Sequence, residues 1–215
     1  METPQMQYPT ATRFPLTFRV DYPYRPLNRL TPFFRLLWLI PIGVIAALLG
    51  SGTISVRGLD YSWSWTSMGI LFLPLVLMIL FRQKYPRWWF DWNLELTRFL
   101  ARVWVYASLL RDEYPSTDEE QSVHLDFAYP DAKQLSRGLP LIKWFLAIPH
   151  YVVLFFLSIG AAVSVVIAWF AILFTGKYPR GLFDYVVGVH RWSLRVEAYA
   201  VLLITDQYPP FTLSE

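Results

Sequence analysis

Two stretches of this sequence carry charged side chains at spacings that place them on one edge of a helix. In "KYPRGLFDYVVGVHRWSLRVEAYAVLL" (177–203), Asp184, Arg191 and Arg195 follow at steps of seven and four; in "KYPRWWFDWNLELTRFLARVWVYASLL" (84–110), Asp91, Glu95, Arg98 and Arg102 follow at steps of four, three and four. At about 100° per residue each set falls within a stripe roughly 60° wide on an otherwise apolar circumference. A guanidinium at headgroup level can bind a lipid phosphate through paired hydrogen bonds while its stem stays among acyl chains. Arg98, Arg102, Arg191 and Arg195 are therefore candidates for binding a lipid headgroup, anionic ones included, or a partner protein, and Lys84, Arg87, Lys177 and Arg180 at the helix starts join them. Asp91, Glu95 and Asp184 are read as a structural charge stripe that pairs with these cations; within one helix Glu95 meets Arg98 at i+3.

Other chemistry is thin. The three histidines, His124, His150 and His190, share no His-x-x-x-His or Glu-x-x-His spacing, so no metal site is expected, and without cysteine there is no thiolate ligand, nucleophile or disulfide. His150 sits inside an apolar stretch, where an ionisable group is either a packing histidine or part of a proton relay. Glu197 projects about 200° from the Asp184 and Arg195 stripe, so it needs a basic partner if buried; an ion or proton site is the alternative. His150 and Glu197 are the candidate transport residues. No Gly-x-Ser-x-Gly elbow and no phosphate-binding glycine loop occurs, so neither an enzyme nor a cofactor is expected. Basic residues interleaved with apolar aromatics argue against nucleic acid as a partner.

The elements that must carry these residues look like membrane segments. The chain has 215 residues, 55% of them hydrophobic and 18% aromatic, well above a soluble domain. Four apolar stretches stand out, at 33–50, 68–81, 139–158 and 161–174. The last two are separated only by Ile159 and Gly160 and read as a tight hairpin or, alternatively, one long bent helix; the hairpin is favoured. If all four span, Arg57 alone among the 19 Lys and Arg residues lies on the far side, which makes the common face cytoplasmic. The two charged helices then lie in the interface, with Trp88, Trp89, Trp92, Trp104 and Trp192 at the headgroups. The start "METPQMQYPTATRFPL" lacks the features of a secretory signal, so the chain is expected to begin near Met1. Tyr-Pro pairs mark element boundaries, Tyr85 and Tyr178 preceding the two charged helices. "LTFRVDYP" (16–23) and "VHLDFAYP" (123–130) alternate like short strands that pair beside the membrane. Likeness between these segments, between "RLLWLIP" and "KWFLAIP", and between the two KYPR helices suggests an internal duplication.

The segments "AIPHYVVLFFL", "AWFAILFTGKYPRGLFDYVVGVHRWSLRVEAYAVLL" and "TDQYPPFTL" resemble the domain of unknown function 4389 family of bacterial membrane proteins, closely over about 123–213. The first half resembles it as a diverged copy, with Trp88, Glu95 and Trp104 where the second has Gly181, Gly188 and Glu197. The resemblance implies an integral membrane protein and brings no activity. The expected fold is thus a mainly α membrane protein of two repeats, each a short strand, a transmembrane hairpin and an amphipathic interfacial helix. Its parts are an N-terminal segment (1–15), repeat 1 (16–115), an acidic linker (116–122) and repeat 2 (123–215). The expected role is a non-enzymatic, multi-pass scaffold or accessory subunit of the bacterial inner membrane, both termini cytoplasmic, partnered by lipids and by a membrane complex or its own copies. Wedge-like insertion into one leaflet would then sense or promote curvature. The alternative is a transporter of lipid or a small ion, its path lined by the polar stripes.

Overall fold

The computed structural model describes residues 14–24, 26–29, 32, 34–35, 39–42, 51–55, 62–116, 119 and 121–214, with backbone alone at 51–55 and 62–74. Most of the expected segment 33–50, and Arg57 with its expected far-side placement, lie outside these residues. The centre of the fold is a two-stranded antiparallel sheet of β1 (Leu16–Val20) and β4 (Val123–Phe127), with Phe18 opposite Leu125. Their alternation puts Leu16, Phe18, Leu125 and Phe127 on one buried face. Two strands do not persist alone. The helices that cover them are α2 (Arg87–Ala107), packed on β4, and α5 (Arg180–Ala200), packed on β1. A second hairpin, β2 (Ser51–Ser55) with β3 (Ser62–Thr66), runs directly into α1 (Ser67–Arg82).

After β4 the chain forms α3 (Leu139–Leu146) and, past a break at Ala147, α4 (Ile148–Thr175). Pro149 accounts for the break, because it brings no N–H to the helical ladder and is tolerated in a first turn. The expected hairpin at Ile159 and Gly160 does not form: α4 continues through both for 28 residues. One glycine costs a helix only ~1 kcal/mol relative to alanine. Gly160 has a packing reason instead. A Cβ there would lie 2.5 Å from the Tyr185 hydroxyl, which donates to the Leu157 carbonyl at 3.1 Å. The helix ends where Gly176 takes φ +71° and its N–H closes on the Ile172 carbonyl at 2.7 Å.

These elements overturn the multi-pass, two-repeat architecture. Among the described residues one helical run, Leu139–Thr175, is long and apolar enough to cross a membrane, with a mean hydropathy of 2.5 in its most apolar window. At 1.5 Å per residue the 16 residues of α1 reach only about 24 Å, short of the ~30 Å hydrocarbon layer. The halves also carry different elements, β2, β3 and a short α1 in one and α3 with a long α4 in the other. Nor is α5 an interfacial wedge. Phe183, Val186, Val187, Trp192, Leu194 and Val196 are all buried between the sheet and α4, so protein rather than lipid covers its apolar sides.

Candidate functional site

Pro86 and Pro179, both extended, start α2 and α5, and this fixes where the stripe arginines fall. Arg98 Nε donates to the Leu125 carbonyl at 2.9 Å, and Arg191 Nε donates to the Phe18 carbonyl at 3.0 Å. Phe18 and Leu125 are cross-strand partners, so one guanidinium reaches each strand of the sheet. A two-stranded sheet leaves outward carbonyls on both edges, and these arginines satisfy them. Arg98 also pairs with Glu95 at 2.6 Å and Asp126 at 3.3 Å. Arg102 donates to the Ser116 carbonyl at 2.6 Å. Arg195, buried, donates to the carbonyls of Thr212 and Ser214 at 3.2 and 2.7 Å, and Arg191 adds Leu213 at 2.9 Å. The stripe thus binds main-chain oxygens of the sheet and of the segment 212–214.

The remaining candidates are dispersed. Lys84, Arg87, Lys177 and Arg180 are exposed, as are Asp91 and Asp184. Arg87 lies over the Tyr129 ring at 5.2 Å and Arg180 over Tyr22 at 4.8 Å, both cation–π distances. His150 is fully buried at the α4–α5 contact: Trp192 Nε1 donates to its Nδ1 at 3.0 Å, and Phe211 stacks on its ring at 4.0 Å. A second buried group stands nearby in α3. Lys143 is completely buried, forms an ion pair with Asp206 at 2.8 Å and donates to the Thr205 carbonyl at 2.7 Å.

Glu197 stands apart from all of these. It lines a partly open cavity of about 520 Å³ between α2, α4, α5 and Phe18 of β1. The walls are mostly apolar. On α4 they are Ser158, Ala161, Ala162 and Val165, and on α2 they include Ala101, Trp104 and Val105. From α5 come His190, Ser193 and Glu197, whose steps of three and four put them on one helix face. Tyr151 of α4 interacts electrostatically with the Glu197 carboxyl, and burial pushes the Glu197 pKa from 4.5 up to about 7. Burial likewise lowers His190 to about 4, so its ring is neutral; Trp104 stacks on it at 5.5 Å and Phe18 meets it edge-on at 5.0 Å. Its Nε2 is buried without a partner among the described residues. Trp104, 59% exposed, closes one side of the cavity mouth.

The sequence singles out Glu197 but not the chamber around it. The signal available was His190-x-x-Ser193-x-x-x-Glu197 on the side of the helix away from the arginines. The structure does not bring His150 and Glu197 into one polar path, since His150 bonds Trp192 while Glu197 faces the cavity. Among the described residues no cluster of His, Asp or Glu could hold a metal ion.

Among known protein families, the model of one described as Domain of unknown function (DUF4389) fits residues 140–212, a span that takes in α3, α4, α5 and the Glu197 face of the cavity. No curated protein and no solved structure matches the chain.

Proposed function

For a chain that belongs to the DUF4389 family through residues 140–212, we propose a non-enzymatic, membrane-anchored scaffold or accessory subunit held in the bilayer by the helical run Leu139–Thr175. The observation that carries this reading is the outer surface of that run. Phe155, Phe156, Ile159, Val163, Ile167 and Phe170 are each at least half exposed, and only 17% of the most apolar window is buried inside the protein. Soluble monomers rarely expose contiguous apolar patches beyond a few hundred Å². The single cation of the run, Lys143, is neutralised internally by Asp206, so its charge is not presented to lipid. The bilayer meant is the bacterial inner membrane, and exposed Lys84, Arg87, Lys177 and Arg180 are the cations available to anionic headgroups. Transport is the weaker reading, because Arg98, Arg102, Arg191 and Arg195 all donate to main-chain carbonyls.

The test is alkaline carbonate extraction of membranes from cells expressing the full chain. The wild type stays in the pellet and detergent releases it. Val163→Lys with Ile167→Lys costs ~2.5–3.5 kcal/mol per lysine at mid-helix and moves the chain to the wash. A wild-type chain released by carbonate would refute the anchor. Failure to recover any stoichiometric partner or self-association from native membranes would refute the scaffold role while leaving the anchor standing.

A further inference from the structure

We propose that the cavity between α2, α4 and α5 binds a neutral single-chain amphiphile, its hydroxyl head hydrogen-bonded to Glu197 and its hydrocarbon tail against the apolar walls. The inference goes beyond the anchoring role and does not rest on it.

Size comes first. At about 520 Å³ the chamber lies inside the ~300–1,000 Å³ range of small-molecule sites. One alkyl chain with a small head fits a space of this size. The packing that creates this space is specific. On α4 the wall is formed by Ser158, Ala161, Ala162 and Val165, side chains short enough to leave the space open.

Polarity selects the head. The Glu197 carboxyl opens on an apolar chamber with Tyr151 of α4 as its electrostatic neighbour, and His190 Nε2 on the same helix face is buried without a partner among the described residues. Ser193 spends its proton on the Val189 carbonyl at 3.0 Å and so offers lone pairs only. Among the described residues no Lys or Arg lines the chamber, so an anionic head would face Glu197 without a counter-charge from them. A cationic head would bring a second charge out of water to meet a carboxyl that burial already holds back from ionising. A hydroxyl does neither. It donates to Glu197 when the carboxyl is ionised and accepts from it when protonated.

Saturation binding of radiolabelled decanol to the full chain in phosphatidylcholine nanodiscs, with empty nanodiscs as the blank, tests the site. One saturable site per chain is expected. Ala161→Trp and Ala162→Trp, each adding bulk at a lining position of the chamber, should each weaken binding at least tenfold. Glu197→Leu should weaken it about three- to tenfold, the worth of one hydrogen bond, while holding or raising the unfolding temperature, which loss of a purely structural carboxyl would lower. Decanoate at about pH 8.5, fully ionised, should bind more weakly than decanol. The proposal is overturned by no saturable binding above the blank, by unchanged affinity in both alanine variants, or by decanoate binding the more tightly. Retention of the unliganded chain in the nanodisc reads the anchor separately.

Discussion

Replacing Glu197 by glutamine should change how stability depends on pH. The folded-state pKa of about 7 lies about 2.5 units above the ordinary 4.5. At 1.36 kcal/mol per unit, ionising the buried carboxyl costs on the order of 3 kcal/mol. The sign follows from linkage: with the folded pKa raised, the favourable contribution is complete below pH 4.5 and is lost as pH rises through 7. His190 works in the opposite sense. Its pKa is depressed from 6.5 to about 4, so its contribution is complete above 6.5 and is lost as pH falls through 4. Between about pH 4.5 and 6.5 the two slopes oppose, and the wild type is expected to look flat there. Glu197→Gln removes one side, so the variant gains on the wild type as pH rises from about 5 to 8. For a chain of this length ~3 kcal/mol corresponds to roughly 6–12 °C in Tm. Intrinsic fluorescence of the ten tryptophans during thermal unfolding reads it directly. A difference between variant and wild type that stays constant from about pH 5 to 8 would show that Glu197 does not titrate out of its ordinary range and would sink the reasoning.

Two further outcomes are expected. Gly160→Ala places a methyl 2.5 Å from the Tyr185 hydroxyl, so it should destabilise by ~1–3 kcal/mol, and adding Tyr185→Phe should restore part of that in a double-mutant cycle of unfolding temperatures. Lys143→Met leaves the partly exposed Asp206, which still accepts from the Ser136 N–H, without its cation and should cost about 1–3 kcal/mol by the same assay, whereas an exposed Lys177→Met should move it by less than ~0.5 kcal/mol.

Local signals in this chain read well and long-range ones poorly. Alternation in 16–23 and 123–130 announces β1 and β4, and Tyr85-Pro86 and Tyr178-Pro179 announce α2 and α5, because proline geometry and side-chain period act within a few residues. The hairpin in α4 is misread because likeness to the first half argues for two separate segments there, while Gly160 is accounted for by Tyr185, a residue 25 positions away. Hydropathy cannot distinguish lipid from a protein interior, so the apolar sides of α5 pass for a membrane-facing surface when α4 and the sheet cover them. The arginine stripe is legible as a stripe. Its partners are not, because main-chain carbonyls of Phe18, Leu125 and Thr212 to Ser214 leave no mark in residue identity. The cavity is hidden for the same reason. Its walls bring α2 together with α4 and α5, which follow about 40 residues later, and only the His190, Ser193 and Glu197 spacing hints at it.

The pairing of β1 with β4 bears on how the protein is made. Val20 leaves the ribosome 107 residues before Phe127 (127 − 20), about 5–20 s at ordinary elongation rates. Throughout that interval the first strand has neither its neighbour nor the α5 side chain Arg191 that later binds Phe18. An apolar edge waiting that long is an invitation to aggregation, so early chaperone or bilayer engagement should govern the yield of folded protein more than the stability of the finished fold.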